Sequence, residues 1–324
     1  VDDNKGSPLN SQLTIFDTQS GSWKIVDDPA SPTPRNFAAF SISGTAAFIF
    51  GGESAHSNAT ADAFSYDLAQ GNWTLLPAPE TLIPRKQASL TSMGNNLLLW
   101  GGNGPAEVIN WARFDTLTGR WSVQELPAGI KSRVSHIALA LDDERLFIWG
   151  GFVEQERRAD GFILNIQSGE IVNIPEHPLL PARANARAVL IRDEVFIWGG
   201  ATSDGPSQSG AVLQLKDLQW RQLPDLPDPR FQSLKGAEIA ALGDQGFFLF
   251  GGRFGSENFN DQLWYLDALT KTWTLIRTDE SPPGRMAHCF VALMPNIYAV
   301  FGGIGYEKDS QSLTQFDGLW LLEL

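Results

Sequence analysis

Six apolar runs in this chain end in an aromatic residue and two glycines, as in Val195-Phe196-Ile197-Trp198-Gly199-Gly200. The others close at Phe50-Gly51-Gly52, Trp100-Gly101-Gly102, Trp149-Gly150-Gly151, Phe250-Gly251-Gly252 and Phe301-Gly302-Gly303. Their first glycines lie 50, 49, 49, 52 and 51 residues apart. So regular a period means one supersecondary unit repeated along the chain, and periods of roughly 40–50 residues suit propeller blades.

The unit reads as four short strands. In one full copy these are Phe37 to Ile42, Ala46 to Phe50, Ala63 to Asp67 and Trp73 to Leu76. First strands follow Arg35, Arg85, Arg133, Arg183, Arg230 and Arg285. Fourth strands begin at Trp23, Trp73, Trp121, Ile171, Trp220 and Trp273. Short apolar or alternating runs, separated by Gly, Pro, Asn and Asp turns, make an all-β chain. No segment keeps a helical period.

Each recurring position has a physical reason. The second strand is apolar throughout, as expected where both of its faces are covered. The paired glycines permit positive φ and close backbone approach. Between third and fourth strands, Asp67, Asp115 or Asn165 precedes Gly71, Gly119 or Gly169. There the Asp or Asn bonds the turn's own amides and Gly takes the left-handed position. The fourth-strand Trp is expected to wedge between neighbouring sheets.

These residues resemble the Kelch repeat: Gly51-Gly52, Tyr66-Asp67, Trp73 and Gly251-Gly252, Leu266-Asp267, Trp273 match its pattern. Arg133-Val134-Ser135-His136 and Arg285-Met286-Ala287-His288 look like that family's approach to the first strand. Departures are Ile171 in place of a Trp, a shortened turn before Trp220, and an insertion in the fifth unit, where Arg230 lies 21 residues before Gly251. The resemblance implies one β-propeller over residues 12–324, of six four-stranded antiparallel blades, after a flexible lead-in at 1–11. Leu13–Asp17 and the final run Gly318–Leu324 compete for the third place in the last blade. The final run matches Gln262–Leu266 well, so it is assigned that place. The Trp23 strand then supplies the fourth and closes the ring.

The totals exclude several function classes. With 37 acidic and 24 basic residues the net charge is −13, which opposes a nucleic-acid partner. No apolar run approaches the roughly 20 residues that cross a bilayer. Cys289 is the only cysteine, so there is no intrachain disulfide and no cysteine zinc cluster. Its repeat position, occupied elsewhere by small residues, reads as core. The chain starts at Val1, which is expected of a processed or truncated product. Together with the single Cys and low Lys, this favours an extracytoplasmic location, secreted or periplasmic, over a cytoplasmic one.

Six copies also separate scaffold from site. A residue type found in every repeat serves what every repeat shares, so the arginines are expected to bond loop carbonyls; the alternative is a ligand-binding ring, since propeller entries surround the central channel. The histidines at Arg+3, His136 and His288, read the same way rather than as metal ligands. Antiparallel first and second strands place the fourth-to-first and second-to-third loops on one face. These loops carry Glu53, His56, Asn103, Glu154, Glu156, Arg157, Arg158, Asp204, Arg253, Glu257, Asn258 and Tyr306, with Glu307 and Lys308 beyond. Mixed charge with an aromatic is what a protein-binding or polar-ligand surface needs.

Enzyme readings fare less well. A copper oxidase similar to galactose oxidase needs a Tyr–Cys crosslink and Tyr and His ligands, but only four Tyr and one Cys are present. A metal cluster like that of the plant specifier proteins begins with Glu156 and Asp160 but meets Leu164 where His is required. No cofactor or metal is expected. The reading is a non-catalytic module that binds a protein segment or a polar ligand such as a glycan. The alternative is a carbohydrate-active enzyme similar to the sialic acid epimerases, with an acid–base carboxylate and an Arg at the channel mouth.

Overall fold

Strand follows strand through the whole of the computed structural model. It describes residues 13–17, 22–26, 28–178, 180–255, 257–278, 281–294, 296–306, 312–316 and 319–323. The expected lead-in at 1–11 lies outside them. The only helical turn among the described residues is a 3-10 turn at Pro229–Phe231. The chain divides into two compact units, residues 1–146 with 164–170, and residues 147–163 with 171–324.

In the first unit the repeats are antiparallel four-stranded sheets with strands in chain order. One holds Ala39–Ser43, Ala46–Phe50, Ala63–Asp67 and Asn72–Leu76. The next holds Lys86–Met93, Asn96–Asn103, Asn110–Asp115 and Arg120–Glu125. Phe48, Phe50, Leu97, Leu99 and Phe114 form a common core of these two sheets. The boundary between the units runs through the strands of the third repeat, Arg145–Trp149 and Gly161–Asn165.

The second unit repeats the plan. The fourth sheet holds Arg187–Ile191, Glu194–Trp198, Gly210–Gln214 and Gln219–Gln222. The fifth holds Lys235–Leu242, Gly246–Phe254, Leu263–Asp267 and Trp273–Ile276. In the sixth, Cys289–Met294, Ile297–Phe301 and Leu319–Glu323 pair in that order. The C-terminal run thus takes the third place, as its likeness to Gln262–Leu266 predicts. Among the described pairings Ser22–Val26 joins Leu13–Asp17 in a hairpin, where the sequence pattern expects it beside the last strand.

Two devices set the spacing of successive sheets. In three repeats the aromatic before the Gly-Gly pair meets the fourth-strand Trp of the following repeat edge-on. The ring centroids are 5.7 Å apart for Phe50 and Trp121, and 6.3 Å apart for both Trp149–Trp220 and Trp198–Trp273. These tryptophans are the expected wedges. Two also donate their indole N–H to the connector of the repeat before, Trp220 to the Pro175 carbonyl at 2.6 Å and Trp273 to that of Pro224 at 2.9 Å.

The second device is the glycine pair. Gly51 and Gly52 have φ of +63° and +96°, a region that costs an L-residue about 1–2 kcal/mol. A Cβ on Gly51 would run into the Arg85 carbonyl, and one on Gly52 would stand 2.7 Å from the Asn36 carbonyl. The turns between third and fourth strands are as the sequence indicates. Asp67 Oδ1 accepts from the amides of Ala69 and Gln70 at 2.8 and 2.9 Å, and Asn165 Oδ1 from those of Gln167 and Ser168 at 2.9 Å.

Candidate interaction face

The loops after the glycines stand on a buried polar frame. Arg183 donates Nε to the Pro181 carbonyl at 3.1 Å and Nη1 to the carbonyls of Gly199 and Ser209 at 2.8 and 2.9 Å. Arg85 does the same with Ile83, Gly101 and Asn110. Arg285 reaches Pro283 and Gly302, with its guanidinium 4.1 Å over the Phe316 ring. Arg35 donates to Gly51 O and forks onto both oxygens of Asp62 at 2.7 and 2.8 Å. Burial lowers the Arg85, Arg183 and Arg285 pKa values to about 10, so all three remain cations at neutral pH. The expectation that these arginines bond loop carbonyls holds for these four.

It fails for Arg230. That side chain is more than half exposed and is bonded to Asp228 beside the 3-10 turn. The place 17 residues before Gly251 belongs to Leu234, which is 1% exposed. The insertion therefore precedes the recurring position instead of lengthening the first strand. Gly236 then falls where Gln87, Ser135, Asn185 and Ala287 hold positive φ in other repeats. A leucine cannot donate, and Asn260 replaces the missing cation. Its Nδ2 bonds the carbonyls of Gly251 and Gln262 at 3.0 and 3.1 Å.

On this frame the predicted site residues fall into distinct environments. Glu53 is part-buried and paired with Lys86, which also donates to Asn58 Oδ1 at 2.8 Å. His56 and Asn103 are exposed, in the loop after the first Gly-Gly pair and at the end of Asn96–Asn103. Glu154 has φ of +49° at the tip of the hairpin joining Phe152–Val153 to Glu156–Arg157. Arg157 lies 5.0 Å over the Phe152 ring, and Arg158 is 3.1 Å from Asp160 Oδ1. Asp204 is exposed in the turn between Ala201–Thr202 and Gly205–Pro206. Arg253 pairs in register with Lys235 and Phe259.

Glu257, Asn258 and Tyr306 line a common cleft of 260 Å³. Glu307 and Lys308 lie outside the described residues. Strand starts and post-glycine residues pair within each repeat, as in Arg35 with Ser54, Lys86 with Asn103 and Arg285 with Gly305. These repeats therefore put their two loop types at one end.

Three features escape the sequence reading. Arg187 Nε and Nη2 meet Glu238 Oε2 and Oε1, both at 2.5 Å, across the first strands of the fourth and fifth repeats. Neither residue is among the loop candidates, because strand alternation hides which side chains face out. Cys289 is exposed, not core, and lies within electrostatic reach of Glu238. The third feature is the setting of the histidines. His288 is buried against Gly251 and 5.6 Å from the Phe250 ring, while His136 Nε2 is 3.1 Å from Ser89 Oγ. Among the described residues no group of three His, Cys, Asp or Glu side chains is arranged to hold a metal ion.

Four-stranded antiparallel sheets, paired glycines and a buried arginine at the start of the repeat define the class, and sequence comparison agrees. The model of the KLHDC2/KLHL20/DRC7 Kelch-repeats domain matches residues 87–303. The chain belongs to the Kelch-repeat β-propeller family. It is 30% identical to Kelch domain-containing protein 3 of Homo sapiens over 204 residues, which is 57% of this chain and 51% of that protein. It is 25% identical over 228 residues to tip elongation aberrant protein 1 of Schizosaccharomyces pombe, covering 67% of this chain and 19% of the other. To the Rab9 effector protein with kelch motifs of Mus musculus it is 25% identical over 168 residues, 51% of this chain and 44% of the other. The chain spans about half the length of the first of these relatives.

Burial and then the neighbouring arginine charge hold the imidazoles of His136 and His288 at about 4, against about 6.5 in an unfolded chain. The unfolded state therefore binds more protons between these values, and stability falls as pH drops from about 6.5 to about 4. Melting at pH 5.0 should show a loss of about 2 kcal/mol for each imidazole, about 4 kcal/mol for the two, relative to pH 7.5. Equal stability at both would mean the imidazoles are not held neutral.

Proposed function

We propose that this chain is a protein-interaction module whose six repeats close into one propeller and offer their loops to a partner protein. The observation that carries this reading is a division of labour inside the repeat. Recurring Arg, Gly and Asp or Asn groups are used up on backbone carbonyls, close approaches and turn amides. The exposed loop side chains His56, Glu156, Arg157, Asp204, Glu257 and Asn258 differ from repeat to repeat. Loops on a rigid frame, with mixed charge, suit a protein interface. A relative named as an effector supports the same class of role. The glycan and epimerase readings have no comparable support.

Ring closure is the structural half of the proposal. With Leu319–Glu323 in third place the sixth sheet has room for one more strand, and Trp23 occupies the repeat position of Trp73, Trp121, Trp220 and Trp273. Deleting residues 1–27 should lower the melting temperature by several degrees, on the order of 2–4 °C per kcal/mol lost; an unchanged transition would rule out closure by that strand.

For the interaction itself, the decisive comparison is affinity capture by the native chain and by Arg157→Glu with Asp204→Lys. Both sites are exposed, so the variant should melt normally and lose its partner. Undiminished capture would remove these loops from the interface.

A further inference from the structure

The 260 Å³ cleft opens between the loop after the fifth Gly-Gly pair and the connector into the sixth repeat. Close backbone packing builds it. A Cβ on Gly284 would stand 2.5 Å from the Phe259 carbonyl oxygen, and one on Gly305 would strike the Gly284 carbonyl. Asn260, 1% exposed, ties the base of the loop to the Gly251 and Gln262 carbonyls. Above this floor the rings of Phe259 and Tyr306 meet edge to face, with centroids 5.6 Å apart.

Two carboxylates, Glu257 and Asp261, flank the rings. Both are exposed, and among the described residues Glu257 has no charged partner. Arg230 acts on Asp261 only through space, its guanidinium being bonded to Asp228. Aromatic rings beside unneutralised carboxylates in a preformed cleft favour a cation. A planar guanidinium can fork onto a carboxylate and lie against a ring at once.

We propose that this cleft receives an arginine side chain from a segment of the partner protein. The proposal rests on the interaction-module reading and specifies the partner's chemistry. The chain's net charge of −13 would speed encounter with such a basic segment.

The probe is a capped peptide of Gly, Ser and Arg, titrated into the intact chain at about 0.15 M salt beside its citrulline counterpart, which keeps the shape and loses the charge. The arginine peptide should bind about tenfold tighter or more. Glu257→Gln with Asp261→Asn, and separately Tyr306→Ala, should each weaken it about fivefold or more. Asp143→Asn with Glu144→Gln removes the same charge from another turn and should change nothing. Glu257→Gln alone, at an exposed position, keeps the test valid if the double variant folds poorly. Failure of the arginine peptide to bind, equal binding of citrulline, or an equal loss in the control pair would overturn the assignment. If the peptide fails while Arg157→Glu with Asp204→Lys still loses its partner, the module reading stands and only the cleft assignment falls.

Discussion

The fold depends on a clasp that Arg85 and Arg183, at the starts of their repeats, each make with two glycines. The Arg183 carbonyl accepts from the amide of Gly151 in the preceding repeat at 2.9 Å, while its guanidinium donates to Gly199 in its own. Arg85 joins Gly52 to Gly101 in the same manner. One residue thus ties the loop end of one sheet to that of the next. A side chain on Gly51 would occupy the place of the Arg85 carbonyl, which is why the pair must be glycine as well as flexible. Buried carbonyls left without donors cost about 1–3 kcal/mol each, so the clasp is also where the structure is least tolerant of loss.

That dependence explains the fifth repeat. Its arginine position holds Leu234, yet the two carbonyls that the clasp serves elsewhere are satisfied by Asn260 from the neighbouring loop. Satisfying those acceptors takes precedence over keeping the residue that usually does so. The same loop then forms one wall of the cleft with Tyr306. Replacing a long arginine by a short amide therefore accompanies a cleft in which three predicted site residues converge.

Much of the fold was legible because it repeats. The Gly-Gly period, the Asp-to-Gly turns and the fourth-strand Trp each recur, and chance does not reproduce such spacing. The C-terminal strand was placed correctly from its likeness to Gln262–Leu266. The fifth repeat was misread because Arg230 supplied the right residue type at the wrong distance, and an insertion shifts residues without changing their identity. Cys289 was misread because occupancy by small residues does not tell a covered face from an open one. Of the loop residues, sequence identified the loops but not their pairings. Glu53 with Lys86 and Arg158 with Asp160 depend on distances that spacing alone does not give.

The most direct test compares equilibrium denaturation of Arg183→Met, Asn260→Leu and Arg230→Met. If the clasp carries the fold, the first two each lose about 2–4 kcal/mol, from orphaned carbonyls and lost charge-assisted bonds. Arg230→Met, whose partner is an exposed-site ion pair, should lose no more than about 1 kcal/mol. A loss at Arg230 equal to that at Arg183, or none at Arg183 and Asn260, would contradict the account.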